Sequence, residues 1–562
     1  MLHPVLSRGR SRVVSSAVAV AALSGALLAP PAAAAPSAGL AAVPDVSWTE
    51  CRDGFQCAAV PVPLDHGDPE GAQIDIEVVR LPAGDPAQRI GSLLLNPGGP
   101  GGSGVQFARA VADVLPLELR ARFDIVGFDP RGINLSTPLR CFENLDQVFA
   151  ILPTFAFPDT PAEEEAQRLF DDQLSAACGR NGGAILDHMS TADVARDMDV
   201  LREAFGDEEL NYLGFSYGSV LGQNYANLFP DRVGAFVIDA VVDPIAWSTG
   251  YGQDGETTPF GTRIQSADGA RRTLEEFFRL CDEAGPDCVL SGDAGGRFTA
   301  LAERLRAQPM TTVDPVTGET FALTYQDLIA VTLGALYAPF TWPDLAVFVA
   351  DLEQQVGPEV LGQRLAAIRT GLGLEAALQE EYPNVIEGPT GVGCSDSVNP
   401  TSLEAWQAAA DSAEEAYGHF GRLWNWTFSA CASWPATAGQ DRYLGPWTAE
   451  TSSPVLVVGN EFDPATPYQG AVAASELLPN SRLLTYGGWG HAAFFAAGNF
   501  CVDAHVTRYL VSGELPEAGT VCAPEGTPFG PTSALTASDA AAAAALHAGA
   551  VPPSVRRALH AR

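Results

Sequence analysis

The stretch Gly214-Phe215-Ser216-Tyr217-Gly218 sets a serine between two glycines in the pattern G-x-S-x-G. A short apolar run, Leu210-Asn211-Tyr212-Leu213, reads as a strand before it. Asn224-Tyr225-Ala226-Asn227-Leu228-Phe229 reads as a helix after it. Strand, sharp turn and helix in that order make a nucleophile elbow, in which the tight turn strains the serine backbone and exposes its hydroxyl. Small flanking residues let the strand and the helix approach without a clash. The rival reading is an inert serine in a Gly-rich turn, and glycine is common here at 56 of 562 residues. The strand–turn–helix context favours a nucleophile at Ser216.

A serine nucleophile needs a base, and the base needs an acid to orient it. Where the serine sits on such an elbow, the acid and then the histidine follow it along the chain. The C-terminal part supplies both. Pro454-Val455-Leu456-Val457-Val458 is a continuous apolar run, the pattern of a strand buried on both faces. It leads to Gly459-Asn460-Glu461-Phe462-Asp463-Pro464. Asp463 falls just past the strand end, where open parallel sheets place their sites. Glu461 is the competing acid. A second strand, Ser481–Tyr486, runs into a Gly-rich loop, Gly487-Gly488-Trp489-Gly490-His491. His491 is the base by position. His3 lies in a leader-like segment, and His547 and His560 lie in an Ala-rich tail. His66 and His188 precede the serine, and His419 and His505 fall on helical patterns.

A third element would hold the negative charge that develops on the attacked carbonyl. The strand Ser92-Leu93-Leu94-Leu95 is followed by Asn96-Pro97-Gly98-Gly99-Pro100-Gly101-Gly102-Ser103-Gly104. This loop leaves backbone N–H groups uncovered. An oxyanion hole would use the N–H of Tyr217 and that of Gly99, with Gly98 as the alternative. A phosphate-cradling loop is the other reading of so many glycines. It lacks the G-x-x-x-x-G-K-[ST] pattern, and the chain has no lysine.

These residues carry a resemblance to a known family. Thr191-Ala192-Asp193 through Phe205-Gly206, the elbow, Phe229-Pro230-Asp231-Arg232-Val233 and Asp239 to Pro244 together resemble the secreted tripeptidyl aminopeptidases of filamentous bacteria. Those enzymes are α/β-hydrolases related to proline iminopeptidases. Asn96 to Gly101 is similar to the family's oxyanion loop, and Asp129-Pro130-Arg131-Gly132 to its turn after the next strand. Asp463-Pro464-Ala465-Thr466-Pro467-Tyr468 and Gly490-His491 are similar to its acid and base segments. The resemblance spans roughly Cys51 to Cys522. It departs at Glu461, where a less acidic residue is expected. It implies a serine peptidase that releases tripeptides from free N-termini, with no metal or cofactor. A secreted esterase on the same three residues is the alternative. An exopeptidase must also hold a free ammonium group, and Asp396 and Glu461 are the candidate carboxylates.

The elements that must position these groups follow from the pattern. Strands and helices alternate from about Val60 to Asp243, with Phe236–Val242 as the strand after the nucleophile helix. The next buried strand is Val455–Val458. Between them lie helical patterns such as Leu274–Leu280 and Phe298–Leu305. The fold class is therefore α/β: an α/β-hydrolase fold, a mostly parallel central sheet flanked by helices, with a large inserted helical cap. The expected divisions are a leader over 1–35, core over 36–243, cap over 244–445, core again over 446–530 and a low-complexity tail over 531–562. Arg8, Arg10 and Arg12 precede an apolar stretch, Val13–Leu28, and then Pro30-Pro31-Ala32-Ala33-Ala34-Ala35. That is the layout of a cleaved secretory signal, so an extracellular enzyme without a lasting membrane anchor is expected.

Ten cysteines is an even number for an exported chain. Their spacing suggests near-neighbour bridges: Cys51 with Cys57, Cys141 with Cys178, Cys281 with Cys288, Cys394 with Cys431 and Cys501 with Cys522, although spacing alone does not fix connectivity. No C-x-x-C pattern points to a metal instead. The formal net charge of −36 disfavours nucleic acid as a partner. It favours approach by peptides with a positive amino end.

Overall fold

The computed structural model describes residues 43–314, 318–374, 384–530, 537–553 and 555–556. The leader-like segment over 1–35 lies outside them. Among the described residues no helix is long and apolar enough to cross a membrane.

Ten strands form one sheet: β1 (Thr49–Glu50), β2 (Gln56–Pro63), β3 (Gln73–Leu81), β4 (Gly91–Asn96), β5 (Phe123–Phe128), β6 (Leu210–Phe215), β7 (Val233–Asp239), β10 (Val455–Phe462), β11 (Ser481–Trp489) and β12 (Val521–Cys522). Two more, β8 (Met310–Val313) and β9 (Thr320–Leu323), pair separately as an antiparallel hairpin. The sheet order is β1-β2-β3-β5-β4-β6-β7-β10-β11-β12. The pairings from β5 through β12 are parallel, and β1, β2 and β3 are antiparallel additions. Every residue of β4, β5 and β6 is buried, as expected of parallel strands covered by helices on both faces. The chain crosses from β4 to β5 on one side and returns to β6 on the other. This reversal is the place where open α/β sheets gather a site at their carboxyl ends.

Two strands differ from the sequence reading. The run Phe236–Val242 stays in the sheet only to Asp239, and Ala240 then turns with φ 55°. Conversely, Gly487-Gly488-Trp489 is not a loop: β11 continues through it, and the register with β10 shifts between Asn460 and Phe462. Glycine is needed there because a Cβ on Gly488 would lie 2.2 Å from the Tyr486 ring.

Between β7 and β10 the chain builds a helical cap with its own apolar core, centred on Phe277, Leu328, Phe348 and Trp342. Its helix Tyr325–Tyr337 is buried along its whole length and is closed at the start by a capping box, Thr324 with Asp327. The ten cysteines form the five near-neighbour bridges, and no cysteine is free. Within the Ala-rich stretch expected to be a low-complexity tail lies a helix, Ala537–Ala550, with Ala543 and Leu546 fully buried.

Candidate active site

Ser216 stands between β6 and the helix Tyr217–Leu228, with φ 57° and ψ −124°. A residue with a β-carbon holds that conformation only under constraint, at about 1–3 kcal/mol. Hydrogen bonds supply the constraint. The Ser216 N–H donates to the Asp239 carbonyl at 3.0 Å, and its own carbonyl accepts from the Ser219 N–H at 2.8 Å and the Ser219 hydroxyl at 2.6 Å. Glycines on both sides leave no room for a side chain: a Cβ on Gly214 would lie 2.4 Å from the Tyr212 ring, and one on Gly218 would lie 2.9 Å from Asn96 Oδ1.

Asp463 follows β10 directly, and His491 lies two residues past β11. Both are buried. His491 Nδ1 is 2.9 Å from Asp463 Oδ1 and 3.0 Å from Oδ2. The carboxylate also accepts the N–H groups of Ala465 and Thr466 at 2.8 Å on Oδ1, and the Thr466 hydroxyl at 2.8 Å on Oδ2. Such a partner fixes the proton on Nδ1 and leaves Nε2 free to accept one. Nε2 is buried and has no hydrogen-bond partner among the described residues. Glu461, the competing acid, is exposed and is not among the groups bonded to His491.

Several known proteins are similar along most of this length. A family described as TAP-like protein matches residues 415–522, and one described as alpha/beta hydrolase fold matches residues 91–278. Serine protease Hip1 of Mycobacterium tuberculosis strain H37Rv is 31% identical over 507 residues, covering 85% of this chain and 91% of that protein. Tripeptidyl aminopeptidase of Streptomyces lividans is 30% identical over 511 residues, covering 88% and 90%. The chain belongs to the TAP-like α/β-hydrolases. It is a serine hydrolase. A third relative, Carboxylesterase B of the same Mycobacterium strain, is 34% identical over 527 residues, covering 89% and 94%.

The cap of this TAP-like enzyme takes part in holding its histidine. The His491 N–H donates to the Tyr337 carbonyl at 2.9 Å, and the two rings lie 4.7 Å apart. Gly490 turns with φ 95°, and a Cβ there would lie 2.6 Å from Pro339. On the sheet side, the Asp239 carboxyl accepts the N–H groups of Ala493 at 3.0 Å and Phe494 at 2.8 Å, pinning the chain just after His491. Burial pushes the Asp239 pKa up to about 6, and nearby Asp463 adds to this against the pull of those N–H groups.

The Gly98–Gly104 loop touches the elbow. A Cβ on Gly98 would lie 2.4 Å from the Phe215 carbonyl oxygen, 2.8 Å from Ser216 Cβ and 3.0 Å from the Tyr217 nitrogen. The Gly98 N–H is already engaged, donating to Asn96 Oδ1 at 2.9 Å. The N–H groups of Gly99 and Tyr217 make no hydrogen bond among the described residues. Of the two glycines, Gly99 is therefore the one with a donor to offer.

Ser216, Tyr217 and Gly99 line one cavity with the cap's Trp247, Trp424 and Phe428. Neither Asp396 nor Glu461 lines it, and no other carboxylate among the described residues does. Asp396 lies behind the elbow. Its oxygens accept the Thr191 N–H at 2.7 Å, the Thr191 hydroxyl at 2.5 Å and Trp247 Nε1 at 3.1 Å. Thr191 Oγ1 also lies 2.5 Å from the Tyr217 hydroxyl. Asp396 thus steadies the residue after the nucleophile, with its pKa pushed up to about 6 mainly by burial. Its bonding capacity is spent there, which removes it as a receptor for a substrate ammonium.

Sequence reasoning did not assign the roles of Thr466, Asp239 and Asn96. All three stand in segments quoted for the family resemblance, so the signal was present without its geometry. The C-terminal segment gave no signal at all.

Proposed function

We propose that this enzyme is a secreted serine aminopeptidase that cleaves short peptides, most aptly tripeptides, from free N-termini. The observation that carries the chemistry is the buried Asp463–His491 pair, whose Nε2 has no partner among the described residues, together with a serine on a strained elbow. Ser216 Oγ attacks the scissile carbonyl and its proton passes to His491 Nε2. Asp463 keeps the imidazole in the accepting tautomer and stabilises the cation. The Gly99 and Tyr217 N–H groups receive the oxyanion, each worth about 3–4 kcal/mol in the transition state. His491 returns the proton to the leaving amine, and water then hydrolyses the acyl-enzyme by the same route. The 91% and 90% coverage of relatives named serine protease and tripeptidyl aminopeptidase supports the peptide substrate. Five disulfides suit an oxidising, extracellular setting.

An esterase is the second reading. It is favoured by the absence of a lining carboxylate among the described residues and by the likeness to Carboxylesterase B. Rates on tripeptidyl amides with free and N-acetylated amino ends, set against simple esters, decide between the two. The aminopeptidase reading expects the free form to be at least ~10-fold faster in kcat/KM, since about 1.4 kcal/mol from a charged hydrogen bond gives that factor. Equal rates, or a preference for esters over every peptide, would overturn it.

A further inference from the structure

The C-terminal segment is part of the site. Helix Ala537–Ala550 packs against Gly104–Val111, the helix that follows the oxyanion loop. A Cβ on Gly99 would lie 3.1 Å from the Gly549 carbonyl oxygen, and one on Gly549 would lie 3.3 Å from Pro97. His547 Nε2 donates to the carbonyl of His491 at 3.1 Å. Residues Gly549 to Pro553, with Arg556, form one wall of the cavity that Ser216 opens into.

Among the described residues lining that cavity, Arg556 is the only charged one. Its Nε donates to the Val551 carbonyl at 3.1 Å and its Nη2 to the Ala548 carbonyl. No carboxylate pairs with it, and its Nη1 makes no hydrogen bond among the described residues. Buried arginines elsewhere in the chain differ. Arg131 pairs with Asp197, and Arg422 with Glu164. Arg263 has no carboxylate, but all three of its nitrogens donate to carbonyls. Arg556 therefore presents an unmatched guanidinium edge in a largely apolar cavity, in a protein whose net charge is −36. Burial brings its pKa down to about 10, with Tyr337 opposing, so it stays charged at neutral pH.

We propose that Arg556 is a specificity residue that binds a carboxylate carried by the substrate. The inference rests on the peptidase reading for the identity of that substrate, an acidic short peptide. A planar guanidinium matches a carboxylate, and the match is strongest where water is scarce. The carboxylate has two sources: an acidic side chain in the released peptide, or the terminal carboxylate on the leaving side.

The test compares matched substrates on the full-length protein. One arm uses tripeptidyl p-nitroanilides with Glu or Gln at each position. The other uses tetrapeptides ending in a free acid or an amide. The proposal expects one arm to favour the acidic member by at least ~10-fold in kcat/KM. Arg556→Gln should bring that ratio to about 1, while Arg556→Lys, which keeps the charge without the fork, should retain part of it. Labelling by a serine-directed reagent establishes that each variant has folded around its site. No preference in either arm of the wild-type protein would overturn the proposal, as would an unaltered ratio in Arg556→Gln, or in Arg556→Lys should the glutamine variant not fold. If esters are cleaved and peptides are not, the peptidase reading fails alone. The p-nitrophenyl half-ester of glutaric acid against p-nitrophenyl valerate then tests Arg556 in the same way.

Discussion

Replacing Asp463 with asparagine tests the site at its most constrained point. The Asp463 Oδ1 atom already receives two backbone N–H groups, from Ala465 and Thr466, both at 2.8 Å. An asparagine must keep its carbonyl oxygen there, because an amide NH2 would face two donors. Its NH2 then occupies the Oδ2 position, 3.0 Å from His491 Nδ1. A donor at that place competes with the retained Oδ1 carbonyl, 2.9 Å from Nδ1, and shifts population towards the tautomer with the proton on Nε2, which cannot accept from Ser216. The carboxylate charge that stabilises the imidazolium is lost as well. A triad with its tautomer reversed in this way loses about 10⁴-fold in kcat, or about 5 kcal/mol of transition-state stabilisation. The assay is steady-state kcat on the best amide substrate, with Tm measured alongside to establish that the variant is folded. Exposed Glu461→Gln serves as the control and should stay within about threefold, since surface changes away from the chemistry have small effects. A folded Asp463→Asn variant with kcat within tenfold of wild type would refute the tautomer argument, and an equal loss in Glu461→Gln would reassign the acid.

Ser216→Ala should lose several orders of magnitude in kcat at unchanged Tm, and a serine-directed reagent should add once, seen as a single adduct on that residue by peptide mapping. Gly98→Ala should lose at least ~10²-fold in kcat, because its φ of 92° disfavours a side chain and its Cβ would lie 2.8 Å from Ser216 Cβ; near-normal turnover would count against the packing of the loop on the elbow. Burial, aided by nearby His491, holds the His547 pKa down at about 3. Its stabilising effect is complete above about pH 6.5 and is lost as pH falls from there towards 3, at about 1.4 kcal/mol per pH unit. Plots of Tm against pH for wild type and His547→Gln should therefore converge or cross between pH 6.5 and 4.5, and parallel curves would contradict a buried neutral imidazole.

The sequence revealed most where one physical cause acts locally. Apolar runs marked β4, β6 and β10, and the segment just past each run is where a parallel sheet exposes its chemistry, so Gly99, Ser216 and Asp463 could be proposed without contacts. The acid was harder, because Glu461 and Asp463 differ by only two positions. Burial separates them, and burial depends on β10 running on to Phe462. The β11 extension was hidden because Gly487-Gly488 reads as a loop until the Tyr486 ring is seen to need the space. Asp396 misled because its type suits an ammonium, whereas Thr191 and Trp247 consume its bonding capacity across more than a hundred residues of chain. The C-terminal wall was invisible for a different reason. Its helix is nine alanines in fourteen residues and so shows no hydrophobic period, yet small side chains are what allow it to lie against the glycine loop at Gly99 and Gly102.

The charge distribution adds a separable consequence. The net charge of −36 acts at long range and draws in the positive amino end of a peptide. Within the cavity the only charge among the described lining residues is the cation of Arg556. Attraction at a distance and recognition at contact thus have opposite signs, which suits a substrate bearing both an ammonium and a carboxylate. Salt distinguishes them. At about 0.15 M the screening length is about 8 Å and at 1 M about 3 Å, so the long-range part fades while a partly buried pair is screened far less. Raising sodium chloride from about 0.02 M to 1 M should lower kcat/KM for every free-amino peptide, chiefly through KM. The acid-to-neutral ratio assigned to Arg556 should change by less than about twofold. A ratio that collapses with salt, in step with the overall rate, would mean that the carboxylate is met in open solvent and not against the wall built by Gly549 to Pro553 and Arg556.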